Sequence, residues 1–132
     1  MKITTTIFLI LFFYSNITIG AVEATEEILT ECMTVASNYN KGMPMNVGNG
    51  YTVTAFGCKT EENKVVIFYS VSVKTESNKL KNINNMKISK TNMSCTSPNI
   101  RKVLDIMDIE WMYYNSSSNY MGNIKVKIED CL

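Results

Sequence analysis

The strongest strand signal in this sequence is the stretch Lys64 to Lys74, KVVIFYSVSVK. Its apolar residues occupy alternate positions: Val65, Ile67, Tyr69, Val71 and Val73. A period of two is that of a β-strand with one buried face, and Ser70 and Ser72 fall on the other face. The preceding run, Tyr51 to Phe56 (YTVTAF), is rich in strand-forming residues and follows the turn dipeptide Asn49-Gly50. Two strands joined by a turn at 59–63 (KTEEN) are therefore predicted.

Helices are predicted on both sides of these strands. Thr25-Glu26-Glu27 supplies an N-cap and two acidic residues for the start of a helix over 25–40, which ends before Gly42. Apolar residues recur along it at intervals of three and four: Ile28, Leu29, Cys32, Met33, Ala36 and Tyr39. Ser97-Pro98 begins a second short helix over 98–108, because proline favours the first helical position. Its apolar face is made by Ile100, Val103, Leu104 and Met107.

The chain ends in a predicted hairpin, with strands over 110–114 and 120–129 around a serine-rich turn.

Residues 75–92 are polar and are interpreted as a connection. The stretch 74–102 holds seven Lys and Arg residues and one acid, Glu76, which is typical of a solvated segment and less often of an anion site. The sum is an α+β domain, in which the N-terminal helix packs on a curved antiparallel sheet of four or five strands.

The first twenty residues have the pattern of a secretory signal. Lys2 is the positive charge, Ile7 to Tyr14 (IFLILFFY) is the apolar core, and small residues follow around Gly20. A membrane-spanning helix needs about 20 predominantly apolar residues, so we expect cleavage, after Gly20 or after Ala24, and no stable membrane insertion afterwards. The expected mature protein is a single domain over 21–132 that is periplasmic or secreted.

All four cysteines lie in the exported part: Cys32, Cys58, Cys95 and Cys131. An even number in a small exported chain predicts two disulfides, for which three connectivities exist. Cys32 lies on the apolar stripe of the first helix, and Cys58 follows the strand on which this helix can pack. Cys95 precedes the second helix, and Cys131 follows the last strand. These positions favour Cys32–Cys58 and Cys95–Cys131.

Several chemistries have no candidate residues in this sequence. It contains no histidine, and neither a P-loop nor a nucleophile elbow is present. Thirteen Lys and Arg residues balance twelve Asp and Glu residues, which does not indicate a nucleic-acid partner. No metal site, cofactor or enzymatic activity is expected. The carboxylate pairs Glu61/Glu62 and Asp105/Asp108 leave a small carboxylate-based hydrolase as an alternative.

From residue 38 onward the sequence resembles a group of small, mostly uncharacterised exported proteins of Gram-negative bacteria. The resemblance rests on Asn40 to Pro44 (NKGMP), the segment Tyr69 to Val71, the Cys-x-x-Pro-x-x-Arg segment Cys95 to Arg101, the strand Met112 to Tyr114 and the final Asp130-Cys131. It implies a cystatin-like fold, a helix against an antiparallel sheet, and it supports a Cys95–Cys131 bridge. It implies no established activity.

Aromatic residues cluster near the last hairpin: Trp111, Tyr113, Tyr114 and Tyr120. Alternation places Trp111 and Tyr113 on one face and Tyr114 on the other, so one face is expected in the core and the other is a candidate binding surface. Exposed Tyr and Trp side chains are typical of protein–protein hot spots. The favoured hypothesis is an exported, non-enzymatic protein that binds another protein, as an inhibitor, an immunity protein or an envelope adaptor. A small-ligand carrier is a further alternative.

Overall fold

A computed structural model describes residues 25–132, and the predicted export signal lies outside these residues. The chain forms three α-helices, five strands and a final 3-10 turn in this part. In chain order these are α1 (25–40), β1 (Met45–Gly48), β2 (Tyr51–Glu61), β3 (Lys64–Val73), α2 (Ile83–Thr96), α3 (Pro98–Leu104), β4 (Met107–Tyr114), β5 (Tyr120–Val126) and η1 (Ile128–Cys131). The predicted α+β class is confirmed.

The strands form one sheet in the order β1-β2-β3-β4-β5. Three of the four neighbouring pairs are antiparallel, whereas β3 and β4 are parallel, from Val65 opposite Met107 to Ser72 opposite Tyr114. The expectation of a wholly antiparallel sheet was therefore wrong at this pair. The connection from β3 to β4 contains α2 and α3, and such a crossover returns the chain to the end of the sheet from which β3 started.

The helices differ from the prediction in the middle of the chain. α1 covers the predicted residues, but α2 lies where a polar connection was expected over 75–92. The α2 sequence, INNMKISKTNMSCT, has no acidic residue in its first turn and no regular apolar stripe, so the usual sequence signals of a helix are missing. α3 ends at Leu104 and not at 108, because Met107 belongs to β4 and pairs with Val65.

The helices pack on one face of the sheet, where the core lies. Side chains at alternate positions of β3, β4 and β5 point to this face, and the most deeply buried include Val65, Ile109, Tyr113, Ile124 and Val126. Leu104 of α3 is completely buried among them. None of the described helices is long and apolar enough to cross a membrane.

Both predicted disulfides are present, and no described cysteine is free. Cys32–Cys58 joins the buried side of α1 to β2, with the Cα atoms 6.2 Å apart. Cys95–Cys131 joins the end of α2 to η1 after β5, with the Cα atoms 5.4 Å apart. Each bridge therefore attaches a helix to a different region of the sheet. Two such structural bridges are typical of a protein that folds outside the cytoplasm.

Candidate binding groove

A cavity of about 640 Å³ lies on the helix side of the sheet, between β1 and α2. We call it the groove. Strands β2, β3 and β4 form its floor, β1 forms one rim and α2 forms the opposite wall. The lining residues are Met45, Val47, Gly48, Asn49, Tyr51, Val53, Phe56, Tyr69, Val71, Asn85, Met86, Ser89, Lys90 and Trp111. The groove is thus mainly apolar and aromatic.

A row of aromatic rings crosses the floor. Phe56, Tyr69 and Trp111 are directly adjacent in the register of β2, β3 and β4. The Tyr69 and Trp111 rings are stacked with centroids 5.4 Å apart, and the Phe56 ring meets Tyr69 edge-on at 4.5 Å. Tyr39 of α1 continues the row, stacked 5.1 Å from Phe56. Cross-strand aromatic neighbours of this kind stabilise a sheet and also make a continuous apolar surface.

A β-bulge in β2 places Phe56 in this row. The register between β2 and β3 shifts between Val53 and Ala55, so that Val53 and Phe56, three residues apart, both face the groove. Asn40, the last residue of α1, forms two hydrogen bonds with this part of β2. The Asn40 side-chain amide donates to the Phe56 carbonyl (2.9 Å), and the Phe56 backbone N–H donates to Asn40 Oδ1 (2.7 Å). Asn40 therefore pairs with β2 beyond the end of β1.

The β1 rim is an exposed edge strand with apolar side chains. Met45 and Val47 are 45% and 55% exposed, although both line the groove. The tight turn that joins β1 to β2 has three consecutive residues with positive φ, Gly48, Asn49 and Gly50. Edge strands are usually protected by charges, bulges or covering segments. A short strand that presents Met and Val to solvent beside an aromatic floor is instead typical of a surface that another molecule covers.

The α2 wall contributes two contacts with the floor. The Tyr51 hydroxyl donates to the sulfur of Met86 at 3.9 Å, and Lys90 Nζ lies 5.0 Å from the centroid of the Trp111 ring. Burial lowers the pKa of Lys90, because desolvation disfavours the charged ammonium. Among the described residues that line the groove, Lys90 carries the one charge, and none is a carboxylate.

The opposite face of the sheet carries the buried acids. Asp108 pairs with Lys64 at 2.8 Å, and Glu110 pairs with Lys59 at 2.7 Å and accepts from Asn123 at 2.9 Å. The hydrogen bond to Glu110 is the main cause that raises the pKa of Lys59. Each of the two acids of β4 therefore has a lysine partner, and neither lines the groove.

The carboxylates that suggested a hydrolase are not brought together at the groove. Glu61 forms an ion pair with Lys125 at 2.9 Å, and the hydrogen bond with this lysine is the main cause that lowers its pKa. Glu62 and Asp105 are exposed, whereas Asp108 is buried and paired. Among the described residues, no group of three or more Cys, Asp or Glu side chains is arranged to hold a metal ion.

The four predicted aromatic residues are divided between the two faces. Trp111 and Tyr113 are buried on the helix side, and burial raises the pKa of Tyr113 to about 12. Tyr114 and Tyr120 meet edge-on, 5.8 Å apart, on the other side. Trp111 lines the groove, and the other three do not. The β1 rim and the α2 wall were not predicted from the sequence. The aromatic residues of β2, β3 and β4 indicate an aromatic floor only when the register of the three strands is known.

No protein-family model and no curated protein sequence matches this chain. Solved structures with a similar fold include EpsS, the pilotin of the Vibrio vulnificus type 2 secretion system, with a TM-score of 0.66 at 14% identity, covering 83% of this chain and 96% of EpsS. A protein of Pseudomonas aeruginosa described as secreted has a TM-score of 0.69 at 12% identity, with the same coverage. The Vibrio cholerae type II secretion pilotin AspS has a TM-score of 0.60 at 16% identity, covering 83% of this chain and 97% of AspS. The chain therefore shares the fold of these small proteins over nearly their whole length.

Proposed function

We propose that this protein is an exported, non-enzymatic adaptor of the bacterial envelope that binds a segment of another protein in the groove. The observation that carries the proposal is the combination of an aromatic floor with an exposed apolar rim, Met45 and Val47. Apolar and aromatic side chains at the centre of a concave surface supply most of the free energy of protein–protein binding.

The composition of the groove supports a polypeptide occupant. Tyr, Trp and Met are enriched in the centres of protein interfaces, and all three line this groove. β1 is also an edge strand, so its free backbone groups can pair with an added peptide while Met45 and Val47 contact its side chains. An extended or helical segment with apolar side chains fits this surface.

Solved structures with a similar fold support a role in the bacterial envelope. Two structures with a similar fold are pilotins of type II secretion systems, and a third protein is described as secreted. The two disulfides agree with a periplasmic location, and the predicted export signal would deliver the chain there. Among the roles open to a small exported binding protein (inhibitor, immunity protein or envelope adaptor), these structural similarities favour an envelope adaptor of the pilotin type.

The groove also argues for a binding role in preference to catalysis. Hydrolysis by carboxylates needs two acids facing a substrate, and no carboxylate is among the lining residues described above. The polar side chains that line it are those of two asparagines, two tyrosines, Ser89 and Lys90, and the sequence has no histidine to activate a hydroxyl group. The groove thus offers contact surface and one charge.

The volume of the groove favours a small-ligand carrier as the second candidate. A cavity of about 640 Å³ lies within the range of small-molecule pockets. A carrier would hold a lipid-like molecule with the same apolar surface and would need no protein partner. A protein binder would have another protein in contact with the rim in the living cell, whereas a carrier would not.

Site-specific photocrosslinking in the native host separates these candidates. A photoreactive phenylalanine analogue replaces Val47 on the rim in one variant and Met33 on the outward side of α1 in the control; their exposures are nearly equal, 55% and 58%. We expect a discrete adduct with one envelope protein from position 47 and none from position 33. Absence of a protein adduct from position 47, or the same adducts from both positions, would contradict the proposal.

A further inference from the structure

We propose that Lys90 selects the occupant of the groove: a peptide segment that carries one Asp or Glu carboxylate between apolar side chains. This inference rests on the proposed function and specifies the partner's chemistry. It follows from the position of an ammonium group without a carboxylate partner inside an apolar groove, and from the absence of any carboxylate among the described residues that line this groove.

Lys90 lies near the middle of α2 with its ammonium group turned to the floor. The Nζ atom lies above the Trp111 ring, 5.0 Å from the centroid, and the side chain is half-buried. No ion pair among the described residues includes Lys90. The aromatic ring stabilises the cation in part, but it does not replace a carboxylate or a full shell of water.

The three lysines that lie within the strands have a different environment. Lys59, Lys64 and Lys125 each pair with an acid, and all three lie away from the groove. Their partners are on β2 and β4, and none of these acids lines the groove. Lys59, Lys64 and Lys125 therefore have acid partners on the side of the sheet away from the groove, whereas Lys90 has no carboxylate partner among the described residues.

A bound segment would remove water from Lys90, the one charged side chain among the described residues that line the groove. Burial already lowers its pKa, and an occupant that covers the groove removes its remaining water. An occupant without an acceptor leaves a buried ammonium unpaired or forces its deprotonation, both of which oppose binding. An occupant with a carboxylate near Trp111 forms a short charged hydrogen bond in an apolar environment.

The same geometry fixes where the acid stands within the segment. Lys90 and Trp111 are at the α2 side of the groove, whereas Met45 and Val47 are at the opposite rim. A segment that crosses the groove therefore places its carboxylate at the α2 side and its apolar side chains over Tyr69, Val53 and the β1 rim. Net charge alone does not describe this preference, since the acid must hold a fixed position among apolar residues.

A peptide library displayed on phage tests the inference with the mature protein immobilised. Selections use the wild type, Lys90→Gln and the control Lys87→Gln, which makes the same charge change on the same helix outside the groove. We expect the wild type and Lys87→Gln to enrich peptides with one Asp or Glu at a constant spacing from apolar residues. Lys90→Gln should enrich apolar peptides without the acid.

The single tryptophan then measures affinity directly, because Trp111 lines the groove. The best selected peptide, amidated at its C-terminus, is titrated against the three proteins with Trp111 fluorescence as the signal. We expect Lys90→Gln to raise Kd about tenfold or more, which corresponds to about 1.4 kcal/mol. Replacing the acid of the peptide by its amide should cost the same factor on the wild type and little on Lys90→Gln. Circular dichroism checks that the variants are folded.

Several results would overturn the inference. Peptides enriched without an acid, or with the same acid on Lys90→Gln, would show that Lys90 does not select; the proposed function would stand if position 47 still crosslinks to a protein. Failure of every peptide, with quenching of Trp111 by oleate vesicles or free oleate, would overturn both, because the occupant would then be an amphiphile. Failure of all probes would overturn the inference as well.

Discussion

Gly57 shows how one residue without a side chain positions an aromatic neighbour. It lies in β2 opposite Phe68 of β3, and the Phe68 ring occupies the space in which a side chain would stand. A Cβ atom added at Gly57 would be 2.3 Å from Cζ of Phe68 and 2.8 Å from both Cε atoms. The backbone of Gly57 has no positive φ, so space and not conformational freedom requires glycine here.

Gly57→Ala is expected to lower the free energy of unfolding by about 1–3 kcal/mol, because the Phe68 ring must leave its place over the strand. Urea denaturation measures the change. Gly42→Ala is the control: its Cβ would only touch the Tyr39 carbonyl at 3.6 Å, and a change below about 0.5 kcal/mol is expected. In a Phe68→Ala background the cost of Gly57→Ala should disappear. An unchanged cost in that background would show that the clash with Phe68 is not the cause.

Residue-level patterns predict which side chains are buried better than they predict what those side chains do. Alternation in β3 identified Val65, Ile67 and Val71 as core residues, and they are buried. Asp108 was expected as the last residue of the helix over 98–108, but it is buried in β4 beside Lys64. The difference arises because pairing with β3 extends β4 back to Met107. A lysine partner supplied by another strand gives no signal in the local sequence.

Asn40 links two elements, because its side chain hydrogen-bonds the end of α1 to β2. Its side-chain amide and carbonyl groups both pair with the backbone of Phe56, whose ring belongs to the groove floor. Asn40→Ala leaves both hydrogen bonds unmade and should lower the free energy of unfolding by about 1–2 kcal/mol. Thermal or urea denaturation measures this, with Asn38→Ala, an exposed neighbour on α1, as the control. Equal effects of the two substitutions would contradict the role assigned to Asn40.

The elements that the sequence predicts are those that carry their own pattern. α1, β2 and β3 have regular apolar periods and appear where expected, although β2 continues to Glu61. α2 was missed because its Asn, Ser and Lys residues give little periodicity, and its stability comes from contacts with β5, α3 and η1. Missing α2 also hid the crossover, and the parallel pairing of β3 with β4 could not be predicted without it.

At the scale of the whole molecule, buried tyrosines make stability depend on alkaline pH. Burial raises the pKa of Tyr113 from 10.0 to about 12, and it raises the pKa of Tyr69 as well. Below pH 10 these hydroxyl groups are neutral in both states and contribute no pH dependence. Between pH 10 and 12 the unfolded chain ionises first, so the free energy of unfolding falls as the pH rises.

Tyr113→Phe should remove part of this dependence. We expect the fall in the free energy of unfolding between pH 9 and 11 to be smaller in the variant by on the order of 1 kcal/mol. Urea denaturation at fixed pH values measures it, and exposed Tyr39→Phe is the control. A fall of the same size in Tyr113→Phe and the wild type would show that Tyr113 does not titrate differently in the folded and unfolded states.

The groove is a property of the assembled molecule, and for that reason sequence patterns could not describe it. Its rim comes from β1, its floor from three strands and its wall from the unpredicted helix α2. The cysteines allowed the bridges to be predicted, because the helix stripe and the strand ends limit which pairs can meet. Trp111 was identified as a candidate binding residue from aromatic density, but its neighbours Phe56 and Tyr69 became evident only through the strand register.

If the groove holds a segment of another protein, that protein must touch the β1 rim. Photocrosslinking from Val47 identifies what touches the rim in the living cell, and Met33 is the matched position outside the groove. We expect a discrete adduct between this chain and one envelope protein from position 47, and none from position 33. The absence of any protein adduct at position 47 would contradict it.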